Sequence, residues 1–230
     1  MGAAPVSPSV EIVELPDQGR LHFCAAAEPI AVLVLGHGAG GGVDVTDLAW
    51  LASDLPDRGI TVVRHEQPWR ALGGRVAWPP ARLDEGWAPA ARAVAERWPR
   101  LPVVTGGRSA GARVACRGAA NPDLPAVAGV VTLAFPLHPP GRPDTSRIAE
   151  LLGVPVPVLA VVGERDPFGT PAELRTAVGA GWEGRNRIVV IPGAGHPLIP
   201  AAKVLPRDAV RAMIVDAVAT FVLDRAAARE

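Results

Sequence analysis

Short apolar runs rich in β-branched residues alternate along this chain with longer stretches whose apolar positions recur every three or four residues. The runs span Val10 to Leu15, Leu21 to Ala25, Ile30 to Leu35, Thr61 to Arg64, Pro102 to Thr105, Gly129 to Ala134, Val158 to Val162 and Arg187 to Ile191. Four of them (AVLVL, GVVTLA, VLAVV, IVVI) are continuously apolar, the pattern of central parallel strands covered on both faces. Between the runs, Asp47 to Leu55 aligns Leu48, Leu51, Ala52 and Leu55, and Arg82 to Trp98 aligns Leu83, Trp87, Ala90, Ala91, Val94 and Trp98, each as one apolar helix face. Ser109 to Ala120 is rich in small residues, and Pro206 to Leu223 opens with the proline favoured at helix starts. Two strands followed by repeated strand–helix units predict an α/β fold. The sheet has about eight strands, mostly parallel with an antiparallel edge, and helices on both faces. No linker interrupts the pattern, so residues 1–230 read as one domain. Ligands of such sheets sit at the carboxyl ends of the strands, which directs attention to the loops that follow them.

Composition narrows the functional classes. The chain balances 23 Lys+Arg against 23 Asp+Glu, so it lacks the basic footprint that nucleic acid or an anionic membrane surface selects. With 25 Gly and 25 Pro it approaches low-complexity composition, yet 49% apolar residues and a mean hydropathy of +0.22 argue for a folded core. Cys24 and Cys116 are too few and too far apart for a disulfide framework or a metal knuckle. They read as buried apolar residues of a reducing compartment. The first ten residues, MGAAPVSPSV, lack a basic region followed by an apolar one, and no apolar run reaches membrane-spanning length. The expectation is a cytoplasmic protein with no membrane and no nucleic-acid partner; oligomeric state is left open.

The segment VVTGGRSAGARVA places Gly107-Arg108-Ser109-Ala110-Gly111 between a strand and a helix. A serine held in a strained turn brings neighbouring backbone close, so the positions two before and two after it must lack bulk, as the G-x-S-x-G pattern provides. A serine hydroxyl needs a base, and the base an orienting acid. In this kind of sheet the acid and then the base follow the serine in the chain. VLAVVGERDPFG offers Asp166 beyond one strand end, with Glu164 as competitor, and IVVIPGAGHPL offers His196 beyond the next. Leu35-Gly36-His37-Gly38-Ala39-Gly40-Gly41-Gly42 follows the third strand, where a glycine-rich loop lets backbone N–H groups approach a developing oxyanion. Ala110 supplies one donor in this reading and Ala39 the other, with Gly40 as alternative; His37 holds the loop. The chain has no Tyr, so both donors are backbone groups. No HExxH, HxH or clustered carboxylate pattern marks a metal site, and no Gly-Lys-Ser/Thr follows the loop to bind phosphate, so no cofactor and no metal are expected.

With HGAGG, GGRSAG, GERDPFG and GAGHPL in this order, the chain resembles the α/β-hydrolase superfamily over nearly its whole length. LAFPLHPPG, GGRSAG and RDPFG together look like its small, lidless, dienelactone-hydrolase-like branch, and within it the testis-expressed and histone-acetyltransferase-associated group. The resemblance implies a Ser109, Asp166, His196 triad. Dienelactone hydrolases use a cysteine nucleophile where this chain has Ser109, so their substrate is not carried over. The short stretch between Phe135 and Val158 leaves no room for a multi-helix cap. Walls of an open site are expected from Trp69, Leu72 and Trp78 in the loop from Gln67 to Ala81, and from Phe135, Phe168 and Leu198. Arg108 faces either a substrate carboxylate or the scaffold. The reading is a serine esterase or thioesterase acting on a small ester-like molecule. The rival is a non-catalytic binding module with the same fold; a peptidase is disfavoured because nothing in the chain would select peptides.

Overall fold

A computed structural model describes residues 10–228. Residues 1–9, on which the reading of the amino terminus rests, lie outside the described part. Eight strands form one sheet: β1 Val10–Leu15, β2 Gly19–Cys24, β3 Ala31–Gly36, β4 Ile60–Glu66, β5 Val103–Arg108, β6 Gly129–Leu133, β7 Val158–Gly163 and β8 Arg187–Ile191. Their order is β1-β2-β4-β3-β5-β6-β7-β8. β1 pairs antiparallel with β2 and β2 antiparallel with β4, whereas every pair from β4 to β8 is parallel. The fold is the α/β-hydrolase fold, with an antiparallel edge and, among the described residues, no large cap.

The continuous apolar runs are explained by what covers them. Leu33 and Leu35 of β3 and Val131 and Leu133 of β6 join a core with α1 (Thr46–Asp54) and α7 (Arg207–Ala227). The intervening Val32, Val34 and Val130 join a second core on the opposite face, with α3 (Pro80–Arg97) and α4 (Ala110–Ala120). Alternate side chains of one strand thus meet helices on opposite faces, and neither face is left polar. Trp87 is buried between α3 and the sheet, and Trp98 packs against the same core.

Helix α3 begins earlier than its periodicity suggests, because Pro80 fixes the first helical φ at no cost in hydrogen bonds. Three short helices have no counterpart in the apolar periodicity: α2 (Pro68–Ala71), α5 (Ile148–Leu152) and α6 (Pro171–Val178). Helix α6 carries a local signal instead. Thr170 and Glu173 form a reciprocal capping box around Pro171 at the first helical position.

The chain leaves β3 toward β4 on one side and returns to β5 on the other, which opens a crevice beyond the carboxyl ends of β3 and β5. The loop after Gly36 and the turn after Arg108 meet there.

Candidate active site

Ser109 sits between β5 and α4 at φ 53°, ψ −110°, a left-handed backbone that a residue with a side chain adopts only under constraint. Its own N–H donates to the Leu133 carbonyl of β6 at 2.9 Å, and its carbonyl accepts from Arg113 N–H in the first turn of α4. The flanking glycines are required by space. A Cβ on Gly107 would lie 2.6 Å from both the Gly36 oxygen and the Gly111 carbonyl carbon, and a Cβ on Gly111 would lie 2.3 Å from the Gly36 oxygen. The serine turn and the β3 loop therefore approach backbone to backbone.

Three side chains from three loops form one hydrogen-bonded line. Ser109 Oγ is 2.9 Å from His196 Nε2, and His196 Nδ1 is 2.9 Å from Asp166 Oδ2 and 3.1 Å from Oδ1. Asp166 is buried, and its Oδ1 also accepts the Phe168 N–H at 2.9 Å. With Nδ1–H held by the carboxylate, Nε2 faces the serine as the acceptor, the tautomer that can take a hydroxyl proton. The Phe168 ring lies against the imidazole with centroids 4.2 Å apart. Glu164, the alternative acid, is turned to the Gly193 N–H at 2.6 Å and braces the loop that carries His196.

The loop after β3 is fixed from beneath. His37 is fully buried, its Nδ1–H directed at the Gly38 carbonyl at 2.9 Å and its Nε2 accepting Gln67 N–H at 3.0 Å. Burial pulls its pKa below the ordinary histidine value, which keeps the ring neutral in this bonding pattern. Gln67 Nε2 donates to the His37 carbonyl at 2.5 Å, and Trp69 Nε1 donates to Gln67 Oε1 at 3.0 Å. Above this support, Ala39 and Ala110 border the same cavity as Ser109. Ala110 opens α4, so its N–H has no intrahelical partner, and among the described residues no acceptor engages the Ala39 N–H.

The cavity measures about 520 Å³ and is lined by Gly38 to Gly41, Val45, Arg108, Ser109, Ala110, Arg113, Pro136, Arg147, Phe168 and His196. Of the expected walls, Phe168 and Arg108 line it. Arg108 reaches it while bonded to the scaffold, its Nη1 on Asp47 Oδ2 at 2.6 Å and its Nη2 on the His196 carbonyl at 2.9 Å. Trp69, Trp78, Phe135 and Leu198 do not line it. Trp69 is buried as the prop under His37, with the two rings 5.4 Å apart. Phe135 and Leu198 are buried in the two cores, and Trp78 packs at the edge of the second with Arg82 stacked 3.5 Å above its ring. Large apolar rings gained more by filling the junctions between helix and sheet than by facing an open crevice. Arg113 and Arg147, absent from the sequence reading, take their place. Arg113 lies one helical turn beyond Ser109 and so shares its face, a spacing readable in advance; Arg147 carries no comparable signal.

A family model described as Alpha/beta hydrolase domain matches residues 29–222. The chain belongs to this family. Solved structures share the fold at low identity. An alpha-beta serine hydrolase homologue from Coxiella burnetii is 19% identical, with TM-score 0.68 over 93% of this chain and 99% of that one. A dienelactone hydrolase from Anabaena variabilis is 21% identical, with TM-score 0.66 over 95% of each chain. A lidless a/b serine hydrolase from Xanthomonas campestris is 22% identical, with TM-score 0.61 over 96% of this chain and 98% of that one. No curated protein matches the sequence. Among the described residues of this α/β-hydrolase, no helix is long and apolar enough to cross a membrane, and no three His, Cys, Asp or Glu side chains gather into a metal-binding group.

Proposed function

We propose that this α/β-hydrolase is a serine hydrolase that cleaves a carboxylic ester or thioester through an acyl-enzyme. The observation that carries the reading is the unbroken line from Ser109 Oγ through His196 to buried Asp166 at the wall of the cavity. Ser109 Oγ attacks the carbonyl carbon while His196 Nε2 takes its proton. The bond to the leaving oxygen or sulfur breaks, and the leaving group departs with that proton. Water then attacks the acyl-serine, giving its proton to His196, and the acid is released as Ser109 recovers a proton. Asp166 holds the imidazole in register and stabilises its cationic form. The N–H groups of Ala39 and Ala110 receive the oxyanion of each tetrahedral intermediate, each worth about 10²- to 10³-fold in rate. No cofactor enters these steps. The likeness of LAFPLHPPG and GGRSAG to the testis-expressed and histone-acetyltransferase-associated group belongs to this proposal as well.

Ser109→Ala is expected to lower turnover of 4-nitrophenyl acetate by about 10⁴- to 10⁶-fold, because triad members act as a unit. A fluorophosphonate probe is expected to label the parent once, at Ser109. Turnover that survives the substitution removes the nucleophile assignment, and a folded parent that neither reacts with the probe nor turns over esters favours the binding-module reading.

A further inference from the structure

The charge on the cavity wall is one-sided. Three arginines, Arg108, Arg113 and Arg147, line the cavity beside Ser109, and among the described residues no Asp or Glu lines it. Two of them are neutralised behind the wall. Arg108 pairs with buried Asp47, and Arg113 makes a bidentate pair with Glu150 at 2.6 and 2.8 Å. Glu150 is also engaged by Arg117, at 3.1 Å, so its charge is already shared between two arginines.

Arg147 is different. Its Nη1 donates to the Pro136 carbonyl at 3.2 Å, and among the described residues its other nitrogens meet no acceptor and no carboxylate lies within salt-bridge distance. Partial burial and the neighbouring Arg113 charge pull its pKa below the ordinary arginine value, outweighing the attraction of Glu150; the group remains cationic. Desolvating a cation beside another cation costs free energy unless an anion meets it, and Arg147 lines the same cavity as Ser109.

We infer that the substrate is an anionic ester, one whose carboxylate or phosphate group docks on Arg147 while its carbonyl lies at Ser109. The inference rests on the serine-hydrolase reading for the reaction, and on the cavity alone for the charge. A cavity of about 520 Å³ suits a compact molecule of this kind.

Mono-4-nitrophenyl adipate and 4-nitrophenyl hexanoate have acyl chains of equal length that differ in a terminal carboxylate. After subtraction of the uncatalysed rates, kcat/KM for the half-ester should exceed that of the neutral ester by about tenfold or more at low ionic strength, the fold-change expected of one charge-assisted hydrogen bond. The ratio should fall toward unity in about 1 M salt. Arg147→Gln should bring it to unity, Arg147→Lys should restore part of it, and Arg142→Gln, at an exposed neighbour, should leave it in place. A third arm, the 4-nitrophenyl ester of 6-phosphohexanoic acid, separates the two anion sources by whichever ratio is larger.

A binding arm needs no turnover. Ser109→Ala should bind monomethyl adipate about tenfold or more tighter than dimethyl adipate by calorimetry, and Ser109→Ala with Arg147→Gln should bind both alike. Equal binding of the two by Ser109→Ala, or a charge preference that survives Arg147→Gln, overturns the inference. Failure of every ester to turn over, with the binding preference intact, counts against the hydrolase reading alone.

Discussion

Asp47→Asn isolates the buried ion pair behind the serine turn. The Asp47 side chain is 2% exposed and that of Arg108 12%, and they meet at 2.6 Å. Asparagine keeps the shape of the side chain and the oxygen that accepts the Leu48 N–H at 3.0 Å, but puts an amide NH2 where Oδ2 accepted from Arg108, so the change removes the charge and the acceptor together. The Arg108 cation is then left with the His196 carbonyl as its remaining partner. Stranding one member of a buried pair costs about 3–5 kcal/mol. At about 2–4 °C per kcal/mol for a chain of this size, the Tm should drop by about 6–20 °C. Replacing both partners by apolar residues, Asp47→Leu with Arg108→Met, removes the stranded charge and should recover most of the loss, so the two substitutions should be strongly non-additive. Because Arg108 also holds the His196 backbone, Asp47→Asn should lower kcat more than it raises KM. Thermal unfolding followed by circular dichroism, run beside ester turnover, reads both effects. A Tm within about 2 °C of the parent, the range of ordinary surface substitutions, would refute the buried-pair argument, as would additive losses in the double variant.

Other outcomes follow from the same geometry. Gly111→Ala puts a methyl group against the Gly36 oxygen, and the displaced serine turn should cost about 100-fold in kcat, checked by steady-state kinetics with far-ultraviolet dichroism as the folding control. Burial pushes His65 down to about 4 in the folded state, so between its ordinary value and that point the unfolded chain binds the extra proton and stability falls as pH falls. The loss should approach about 3 kcal/mol near pH 4, and urea denaturation of His65→Gln across that window should show a shallower slope. Cys24 and Cys116 are both free and buried, and burial pushes the Cys116 thiol up, so a disulfide thiol reagent should label neither until the protein is unfolded by denaturant.

The parts of the molecule written locally in the chain were legible in it. A strand covered on both faces has to be apolar at every position, so β3, β6 and β7 announced themselves, and G-x-S-x-G is a steric rule within five residues. Asp166 and His196 stood at the ends of recognisable strands, which is why a constellation drawn from three distant segments could be written down before any coordinates. What stayed hidden depends on pairing across the fold. That Trp69 props His37 while Arg147 faces the cavity depends on which surface each loop turns inward, and no spacing rule encodes it. Tryptophan read as a wall and Arg147 left out of the reading have one cause. Burial of a large ring against the sheet is favourable, whereas an arginine whose carboxylate partners are already taken is left at the rim. Helix α6 was missed for a different cause, since its capping box lies in plain view and only its weak apolar periodicity concealed it.

The hydrogen bonds that tie His37, Gln67 and Trp69 place the ordering of the Ala39 loop in the folding reaction, not in the encounter with substrate. A loop settled beforehand has no slow closing motion to complete. The half-time of a catalytic cycle should therefore be insensitive to solvent viscosity, and amide exchange at Gln67, whose N–H is held by His37, should be as slow with the cavity empty as with an inhibitor bound.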